Sequence, residues 1–292
     1  MRLARVPGSR PRVAVVGHVE WVQFARVSHV PRAGEVAHAL DPYEEPAGGG
    51  AVAAVQLARL AGTAALFTVL GEDDYGERSK LRLGELGVEV RADLLKLPTR
   101  RAVTLVEETG ERTITTFGER LDPVGGQGDD HWSGLDRAEG IYFTAGDLDA
   151  LQLAREAARV LVASPRARHA LGAGVRLDAL VLSGDDEIEL REAARAEAEA
   201  DVVVFTEGAH GGRYRERSGV EGRWHAAPLP GSPVDSYGCG DSFAAGLTYG
   251  LAAGHKIADA LGLAARCGAM CLTGRGPYER QLHARDLQPP TN

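Results

Sequence analysis

Residues 234–250 read VDSYGCGDSFAAGLTYG, and this stretch carries the strongest structural signal in the chain. Gly238 and Gly240 flank a single residue, and Asp241 and a run of small residues follow them. The pattern predicts a tight glycine turn that opens a helix. Such a turn leaves backbone N–H groups bare at the positive end of the helix dipole, where phosphate and other anions bind. A structural turn capped by an aspartate is the alternative interpretation.

Apolar strands and helical stretches alternate along the chain around this turn. Near-continuous apolar runs predict strands that are covered on both faces, and the helical stretches between them give a βαβαβ order. We therefore expect an α/β fold with a mainly parallel sheet. The predicted strands are 12–16, 65–70, 140–143, 178–182 and 201–205; the predicted helices are 50–60, 74–86, 148–162 and 186–200, and an irregular segment is expected after the first strand.

An antiparallel hairpin interrupts this pattern. Residues 102–107 and 112–117 alternate apolar and polar positions, and Gly110 between them predicts a turn. A hairpin inserted into a parallel α/β chain is expected to cover a site as a lid, and its exposed edge makes a homodimer through the lid conceivable. No internal repeat or linker is evident. We therefore expect one domain over 1–292, with the lid formed by about 18–46 and 98–121.

The composition excludes several functional classes. The chain has 292 residues, of which 44% are hydrophobic and 25% charged, as in ordinary globular proteins. Acidic residues outnumber basic ones by 41 to 33, and only 5% are aromatic, which argues against a nucleic-acid-binding protein. No apolar run approaches the ~20 residues of a membrane span, and three cysteines indicate no disulfide framework. We expect a cytoplasmic protein that binds neither nucleic acid nor membrane.

Three further segments place ligand-binding residue types next to predicted strands or helices. Residues 206–211 (TEGAHG) follow a buried strand, and ligands of open α/β sheets bind at the carboxyl ends of strands. Residues 48–50 (GGG) precede a helix and suit either a second anion-binding group of amides or a flexible loop. Residues 182–187 (LSGDDE) form an acidic cluster, which is typical of a solvated helix start or of a water-mediated Mg²⁺ site.

Together these segments resemble the ribokinase-like (PfkB-type) carbohydrate kinases, and the resemblance runs nearly end to end. The family signature D-T-x-G-A-G-D stands here as DSYGCGD at 235–241, with serine for threonine and cysteine for alanine. The family's T-x-G-x-x-G element matches 206–211, its G-G element matches 48–50, and G-x-D-x-x-G matches 71–76. The resemblance implies a three-layer α/β/α fold with a mainly parallel central sheet and a small β lid.

The resemblance also implies an activity. Members of the family move the γ-phosphoryl group of ATP to a hydroxyl group of a sugar or sugar derivative. By this resemblance Asp241 is the catalytic base, and the amides of Gly238, Cys239 and Gly240 form the anion hole. Two alternatives stay open: a nucleoside kinase on the same fold, and a non-catalytic nucleotide-binding relative. The residues expected along the nucleotide are Thr206, Gly208 and Gly211.

Metal ions are implied by the same resemblance. Asp235 and Ser236 lie where family members bind a monovalent cation, so K⁺ is a candidate activator. The family's N-x-x-E motif, which is linked to Mg²⁺, aligns with residues 184–187. Gly184 replaces the asparagine there, and Glu187 is retained as a ligand of Mg²⁺ through water.

The acceptor end departs from ribokinase. Glu20 stands at an asparagine position, Val22 at the sugar-binding aspartate, and Val52 at the asparagine of the G-G element. Because two hydroxyl partners have become apolar, the sequence predicts weak binding of ribose and favours a deoxy sugar or a nucleoside. The residues expected around the acceptor are Glu20, Val22, Gly48, Gly49, Gly50 and Val52, with an apolar wall of His18, Trp21 and Phe24 nearby.

Overall fold

The computed structural model describes residues 10–126 and 131–287. The strands are β1 (Val13–Val16), β2 (Glu20–Arg26), β3 (Leu40–Ala47), β4 (Ala64–Gly71), β5 (Val88–Leu95), β6 (Arg101–Val106), β7 (Arg112–Phe117), β8 (Gly140–Phe143), β9 (Val160–Ala163), β10 (Leu177–Ser183), β11 (Ala200–Thr206), β12 (Gly212–Glu216) and β13 (Glu221–Trp224). The α-helices are α1 (Gly49–Ala61), α2 (Asp74–Glu85), α3 (Leu148–Ala157), α4 (Glu187–Ala193), α5 (Cys239–Ala252) and α6 (Ile257–Leu272).

A nine-stranded sheet forms the centre of the molecule, in the order β13-β12-β11-β10-β9-β8-β1-β4-β5. From β11 to β5 all neighbouring strands are parallel, and β12 and β13 add an antiparallel edge. Strands β1, β8 and β9 are buried along their whole length, as expected for strands covered on both faces. The predicted α/β class with a mainly parallel sheet is confirmed.

Helices cover both faces of this sheet. Val13 and Val15 of β1 belong to one core, which also contains residues of α1, α5 and α6. Ala14 and Val16 belong to a second core, which contains residues of α3 and α4. Because successive side chains of a strand point to opposite faces, one strand contributes to both cores. The expected three-layer α/β/α arrangement follows from this alternation.

A second sheet of four strands, in the order β3-β2-β6-β7, lies outside the central sheet. Strands β2 and β6 are parallel, whereas both outer pairs are antiparallel. The hairpin expected from the sequence is present as β6 and β7. The segment expected to be irregular contains β2 and β3, so that expectation was wrong. Strand β3 (LDPYEEPA) looks like a loop in sequence because it carries two prolines and three acidic residues, which an edge strand tolerates.

Two predicted helices end earlier than the sequence suggests. The helix expected over 148–162 ends at Ala157, and β9 follows it as a central strand. The helix expected over 186–200 ends at Ala193, and β11 begins at Ala200. In the first case the β-branched apolar run at 160–162 was counted as the end of a helix; in the second, the alanine- and glutamate-rich residues 194–199 suggested a continuing helix but form a turn that includes the short 3-10 helix Glu197–Glu199. Within the described ranges, no helix has both the length and the apolar character required to cross a bilayer.

Candidate active site

Helix α5 begins without the aspartate side-chain cap that α2, α3 and α4 have. Asp73 caps α2 and Asp147 caps α3, each by accepting a backbone N–H of the first turn. The N-cap of α5 is Gly238, whose φ of 80° and ψ of 0° lie in the left-handed region that glycine adopts without strain. Within the described ranges, the N–H groups of Gly240 and Asp241 donate no hydrogen bond to the protein. They are therefore free to bind an anion at the positive end of the helix.

The glycines of this turn differ in their surroundings. A Cβ on Gly238 would lie 2.9 Å from Val52 Cγ1, so packing as well as the positive φ requires glycine there. A Cβ on Gly240 would have no other protein atom within 4 Å. The N–H of Cys239, between them, makes a long hydrogen bond of 3.4 Å to the carbonyl oxygen of Ser236. An incoming ligand therefore has access to the turn at Gly240.

The carboxylate of Asp241 faces the first turn of α1. A Cβ on Gly49 would lie 2.9 Å from Asp241 Oδ1 and 3.3 Å from Thr144 Oγ1. A Cβ on Gly17 would lie 2.7 Å from the Cα of Gly50, so α1 packs backbone to backbone against the end of β1. The glycine segment 48–50 and the glycine turn of α5, far apart in sequence, thus meet at Asp241.

Burial raises the pKa of Asp241. The positive charges of Arg166 and Arg112 act in the opposite direction, and the negative charge of Glu189 adds to the rise. A carboxylate whose pKa is raised is suited to accept a proton from a hydroxyl group. The role of Asp241 as the catalytic base stays a prediction, for which this buried carboxylate is the candidate group.

Arg166 and Glu189 complete the surroundings of Asp241, and the sequence did not indicate either of them. The charge of Asp241 is the largest influence raising the pKa of Arg166. Arg166 Nε donates to Glu189 Oε1 at 3.0 Å, and Glu189 Oε2 accepts the N–H of Ser183 at 2.8 Å. Glu187, the residue predicted to hold Mg²⁺, is instead exposed at the start of α4. Had β9 been recognised as a strand, Arg166 would have been expected at a strand's carboxyl end, where ligands bind.

Asp235 and Ser236, which the sequence predicted to bind a monovalent cation, already interact with a positively charged side chain, that of Arg112. Asp235 Oδ1 accepts the N–H of Tyr237 at 2.8 Å, and Oδ2 accepts the N–H of Gly276 at 3.0 Å. Arg112 of β7 donates through Nη1 to Ser236 Oγ at 3.0 Å, and its charge acts to lower the pKa of Asp235, which burial raises. These residues fit K⁺ poorly, because both carboxylate oxygens are engaged and a guanidinium stands beside them.

A cleft of about 750 Å³ lies at the carboxyl end of β11. Thr206 ends this strand, and its carbonyl oxygen accepts the N–H of Gly184, which lines the cleft. A Cβ on Gly211 would lie 2.2 Å from the carbonyl oxygen of Trp224, so the turn after β11 packs directly on β13. Trp224 stacks on Phe243 of α5 with ring centroids 5.6 Å apart, which connects the cleft to the helix that carries Asp241. The lining residues are Gly184, Asp185, Glu207, His210, Arg223, Trp224 and His225.

His18 and Glu20 lie next to the glycine segment 48–50. A Cβ on Gly48 would lie 3.1 Å from His18 Nε2 and 3.3 Å from Glu20 Cγ. Arg100 Nε lies 3.4 Å from Glu20 Oε2 in a largely buried ion pair. Burial raises the pKa of Glu20, and the charge of Asp241 contributes to the rise, so the two carboxyl groups are within electrostatic reach of each other. Polar side chains therefore lie beside the glycine segment that faces Asp241.

The apolar wall expected around the acceptor is not assembled there. Val22 and Val52 are each 0% exposed and belong to the hydrophobic core, so neither offers surface to a ligand. Phe24 stacks on Tyr43 with centroids 4.8 Å apart in the same core. Trp21 lies on the opposite face of the small sheet, because successive residues of β2 point to opposite sides. Of the side chains expected there, only His18 and Glu20 are found beside the glycine segment.

The acidic residues near the cleft at the end of β11 provide only some of the ligands that Mg²⁺ needs. Asp185 lines the cleft, whereas Asp186 caps α4 by accepting the N–H groups of Ile188 and Glu189. Among residues 10–126 and 131–287, no group of three or more histidine, cysteine or acidic side chains could hold a metal ion. Mg²⁺ commonly keeps several waters and binds through one or two carboxylates and the phosphates of its substrate, and this donor set is compatible with that mode.

Comparison with known proteins identifies similar sequences and similar folds. The sequence model of the family described as pfkB family carbohydrate kinase matches residues 10–284. A fructokinase of Klebsiella pneumoniae is 28% identical over 83% of this chain and 91% of its own. An acarbose 7(IV)-phosphotransferase of Actinoplanes sp. is 43% identical over 75 residues, which is 25% of each chain. The solved structure of a microbiome-derived acarbose kinase superimposes with a TM-score of 0.76 at 23% identity, covering 95% of this chain and 97% of that one.

Proposed function

The chain belongs to the pfkB family of carbohydrate kinases and is an ATP-dependent sugar kinase, and we propose that Asp241 and the N-terminus of α5 form its reaction centre. One observation carries the proposal. The carboxylate of Asp241, whose pKa is raised, belongs to the same helix turn as the backbone N–H groups of Gly240 and Asp241, which have no partner within the described ranges. Gly49 lies opposite this carboxylate and places no side chain against it. A proton acceptor and an anion-binding turn are what phosphoryl transfer to a hydroxyl group requires.

In the proposed reaction, the acceptor hydroxyl gives its proton to Asp241 while its oxygen attacks the γ-phosphorus of ATP. The P–O bond to ADP breaks and ADP leaves with that electron pair. The free N–H groups of Gly240 and Asp241 hold the transferring phosphoryl oxygens and stabilise their negative charge. Arg166 favours the ionised form of Asp241, because its charge opposes the rise in the pKa that burial causes.

The nucleotide is proposed to lie in the cleft at the end of β11. The expected nucleotide residues Thr206, Gly208 and Gly211 belong to the turn that borders the cleft, and positive φ angles of 54° and 80° at the two glycines keep that turn tight. The triphosphate would then extend toward Gly240. Mg²⁺, when bound, supplies positive charge to the phosphates. Two acidic residues line the cleft, and Asp185 is the one that would reach the ion through water, because Glu207 pairs with Arg213 and Arg223.

The acceptor is proposed to be a sugar bound between His18, Glu20 and the glycine segment 48–50. The fructokinase relative, which matches over most of both chains, supports a sugar. A nucleoside kinase is less favoured, because the aromatic side chains Trp21 and Phe24 do not line this pocket. A non-catalytic relative is disfavoured because Asp241 and the unpartnered N–H groups of the turn are both retained.

Several other expectations stay proposals. The small sheet, formed by β2, β3, β6 and β7, is proposed to act as a lid that excludes water from the reaction centre. A homodimer through this sheet, a cytoplasmic location and the division into one domain with a lid from about 18–46 and 98–121 are proposed on the sequence alone. We do not propose that K⁺ activates the enzyme, because the positive charge of Arg112 already lies beside Asp235 and Ser236.

The proposed function is tested by measuring ADP release and the sugar phosphate product with a panel of acceptors that includes ribose, fructose, a deoxy sugar and a nucleoside. We expect ATP consumption that depends on a sugar, with fructose used better than ribose. The product should be identified by ³¹P NMR, so that acceptor phosphorylation is separated from hydrolysis of ATP. Turnover of the nucleoside alone, or acceptor-dependent turnover that survives Asp241→Asn, would contradict the proposal.

A further inference from the structure

Thr144 directly follows the central strand β8, on the face of the sheet that α5 covers. Tyr142, two residues earlier, is buried in the core that contains residues of α5, and alternate residues of a strand point to the same face. Thr144 is 0% exposed and lies at the carboxyl end of a parallel strand, where ligands of this fold class bind. Its hydroxyl group has no part in the reaction proposed so far.

Two glycines fix the direction of the Thr144 side chain. A Cβ on Gly17 would lie 2.7 Å from Thr144 Cγ2, and a Cβ on Gly49 would lie 3.3 Å from Thr144 Oγ1. The methyl group therefore points toward the end of β1 and the hydroxyl group toward the start of α1. Asp241 Oδ1 lies 2.9 Å from the same position on Gly49, so the hydroxyl and the carboxylate are neighbours there. A β-branched side chain that is held on both branches keeps one rotamer.

The hydroxyl group of Thr144 is tied to a second hydroxyl group. Thr144 Oγ1 and Ser164 Oγ lie 3.0 Å apart in a buried hydrogen bond. Ser164 directly follows β9, and the parallel register of β8 and β9 places residues 144 and 164 side by side. Hydrogen bonds also link Tyr142 to both residues, and they oppose the rise in the pKa of Tyr142 that burial and the charge of Asp241 cause. Three buried hydroxyl groups thus form one network beside Asp241.

The carboxylate of Asp241 has no hydrogen-bond donor of its own. Within the described ranges, burial and the charges of Arg166, Glu189 and Arg112 act on its pKa, and no hydrogen bond is among these influences. An ionised carboxylate offers about four lone-pair sites, and a buried acceptor without a donor is costly. Thr144 presents a hydroxyl group on the side where the donor is missing.

One proton of the hydroxyl network is left for Asp241. If Ser164 donates to Thr144, the proton of Thr144 is free to point toward the carboxylate. The negative charge there favours this orientation, because a hydrogen bond to an ionised acceptor is stronger than one to a neutral oxygen. Tyr142 then donates to the network from the other side, as a phenol is the most acidic of the three hydroxyl groups.

We propose that Thr144 is a positioning residue for Asp241. Its hydroxyl group, oriented by Ser164 and Tyr142, donates to one carboxylate oxygen in the reacting complex and turns the other oxygen toward the acceptor hydroxyl. The inference rests on the proposed function, in which Asp241 is the base, and adds the group that holds this base. Thr144 is not assigned to the acceptor itself, because a side chain without exposed surface offers none to a ligand.

Variants at residue 144 test the hydroxyl group separately from the packing. Thr144→Val keeps the shape and removes the hydroxyl, so kcat should fall about tenfold or more, while the KM for the acceptor changes less than about twofold. Thr144→Ser keeps the hydroxyl and loses the methyl group that packs on Gly17. Its kcat should stay within about threefold of the unmodified enzyme, although its Tm falls.

Thr248→Val is the matched control. Thr248 is another fully buried threonine, on the helix that carries Asp241, and its hydroxyl group donates to the carbonyl oxygen of Ala244 at 2.8 Å. Its replacement should lower Tm and leave kcat unchanged. Equal losses of kcat in Thr144→Val and Thr144→Ser would assign Thr144 a structural role and overturn the inference. A raised KM for the acceptor with an unchanged kcat would place Thr144 at the acceptor instead, and would overturn it too.

The pH profile is a readout that packing alone would not move. Thr144→Val removes a donor from the ionised carboxylate, so the pKa of Asp241 should rise and the acid limb of kcat/KM should move up by about one pH unit. Thr144→Ser should leave the limb in place. The charged and titratable groups that also face Asp241 are unchanged in both variants: Arg166 after β9, Arg112 of β7, Glu189 of α4, Glu20 of β2, Tyr142 of β8, Tyr237 of the glycine turn and Tyr278 after α6.

The pKa of Asp241 is also measured without turnover, by ¹³C NMR of labelled aspartate carboxyl groups. The signal of Asp241 is assigned by its loss in Asp241→Asn. A higher pKa in Thr144→Val but not in Thr144→Ser supports the inference even if every acceptor fails and the proposed function fails with it. If the pKa of Asp241 is the same in Thr144→Val and in the unmodified protein, the inference is wrong, whereas turnover that requires Asp241 would leave the proposed function intact.

Discussion

The carboxylate of Asp241 lies against Gly49, close enough that a Cβ on residue 49 would stand 2.9 Å from Oδ1. These residues belong to the first turns of two different helices, α5 and α1, which pack together in the same core. The absence of a side chain at residue 49 leaves the carboxylate accessible from one side. Two glycine-rich helix starts therefore meet at Asp241, the proposed base.

Replacing the proposed base tests its role directly. Asp241→Asn preserves the size of the side chain but cannot accept a proton, so kcat should fall roughly 10²- to 10⁴-fold. The KM for ATP should change little, because the anion-binding groups are backbone N–H groups. Steady-state kinetics check this, with Asp149→Asn on the exposed side of α3 as the control. Near-normal kcat in the first variant would rule out Asp241 as the base.

The anion-binding turn is tested by two glycine variants with opposite expected effects. A Cβ at Gly240 meets no protein atom within 4 Å, so Gly240→Val should leave Tm nearly unchanged while its side chain crowds the phosphoryl group. We expect kcat to fall at least about tenfold. Gly238→Ala should instead lower Tm, because φ is 80° and Val52 is 2.9 Å away. A Gly240→Val variant that melts early would indicate that the turn is structural.

The sequence indicated the proposed reaction centre where its residues are neighbours in the chain. The glycine turn, Asp241 and the start of α5 lie within a few residues of each other, so local chemistry and a family resemblance were sufficient. The glycine segment 48–50 was also identified, although its contact with Asp241 depends on how α1 and α5 pack. Local motifs therefore indicated the parts of the proposed site, whereas their spatial arrangement could be described only from the fold.

Other parts of the site could not be predicted because they come from isolated residues on separate segments. Arg112 lies in an edge strand, and Arg166 follows a strand that the sequence suggested was the end of a helix. Val22 and Val52 were assigned to the acceptor by alignment, but both side chains pack into the core. Which way a side chain points is set by strand register, and register could not be derived for β2 because that strand was not expected.

The nucleotide cleft is tested by the fluorescence of Trp224, which lines it and stacks on Phe243. ADP binding should change the tryptophan emission, and Trp224→Phe should abolish most of that change. Trp132→Phe is the control, because Trp132 stacks on Phe67 at the other core. An ADP-dependent signal that persists without Trp224 would place the nucleotide elsewhere.

Arg112 is expected to make the enzyme insensitive to monovalent cations. Its guanidinium contacts Ser236 at 3.0 Å and faces Asp235, so positive charge is present beside the turn without a bound ion. Rates in K⁺ and in a bulky organic cation should agree within about twofold at equal ionic strength. Arg112→Ala should lower kcat, and partial recovery by K⁺ would support this explanation. Strong K⁺ activation of the unmodified enzyme would contradict it.

The acid limb of the pH profile should report the state of Asp241. The proposed base acts only when it is deprotonated, so kcat/KM should fall as the pH drops through its pKa. Burial raises that pKa, which places the limb above the ordinary range of an aspartate, and Arg166 opposes the rise. Arg166→Gln removes the opposing charge and leaves Glu189 unpaired, and both changes raise the pKa of Asp241 further.

The limb should therefore move to higher pH in Arg166→Gln and stay near its original position in Arg166→Lys, which keeps the positive charge. The two variants are compared over a pH series with saturating ATP, so that changes in nucleotide binding do not distort the profile. A purely structural role for Arg166 would lower activity equally at all pH values. A limb that moves to lower pH in Arg166→Gln would show that the group titrating there is not a carboxylate held ionised by Arg166.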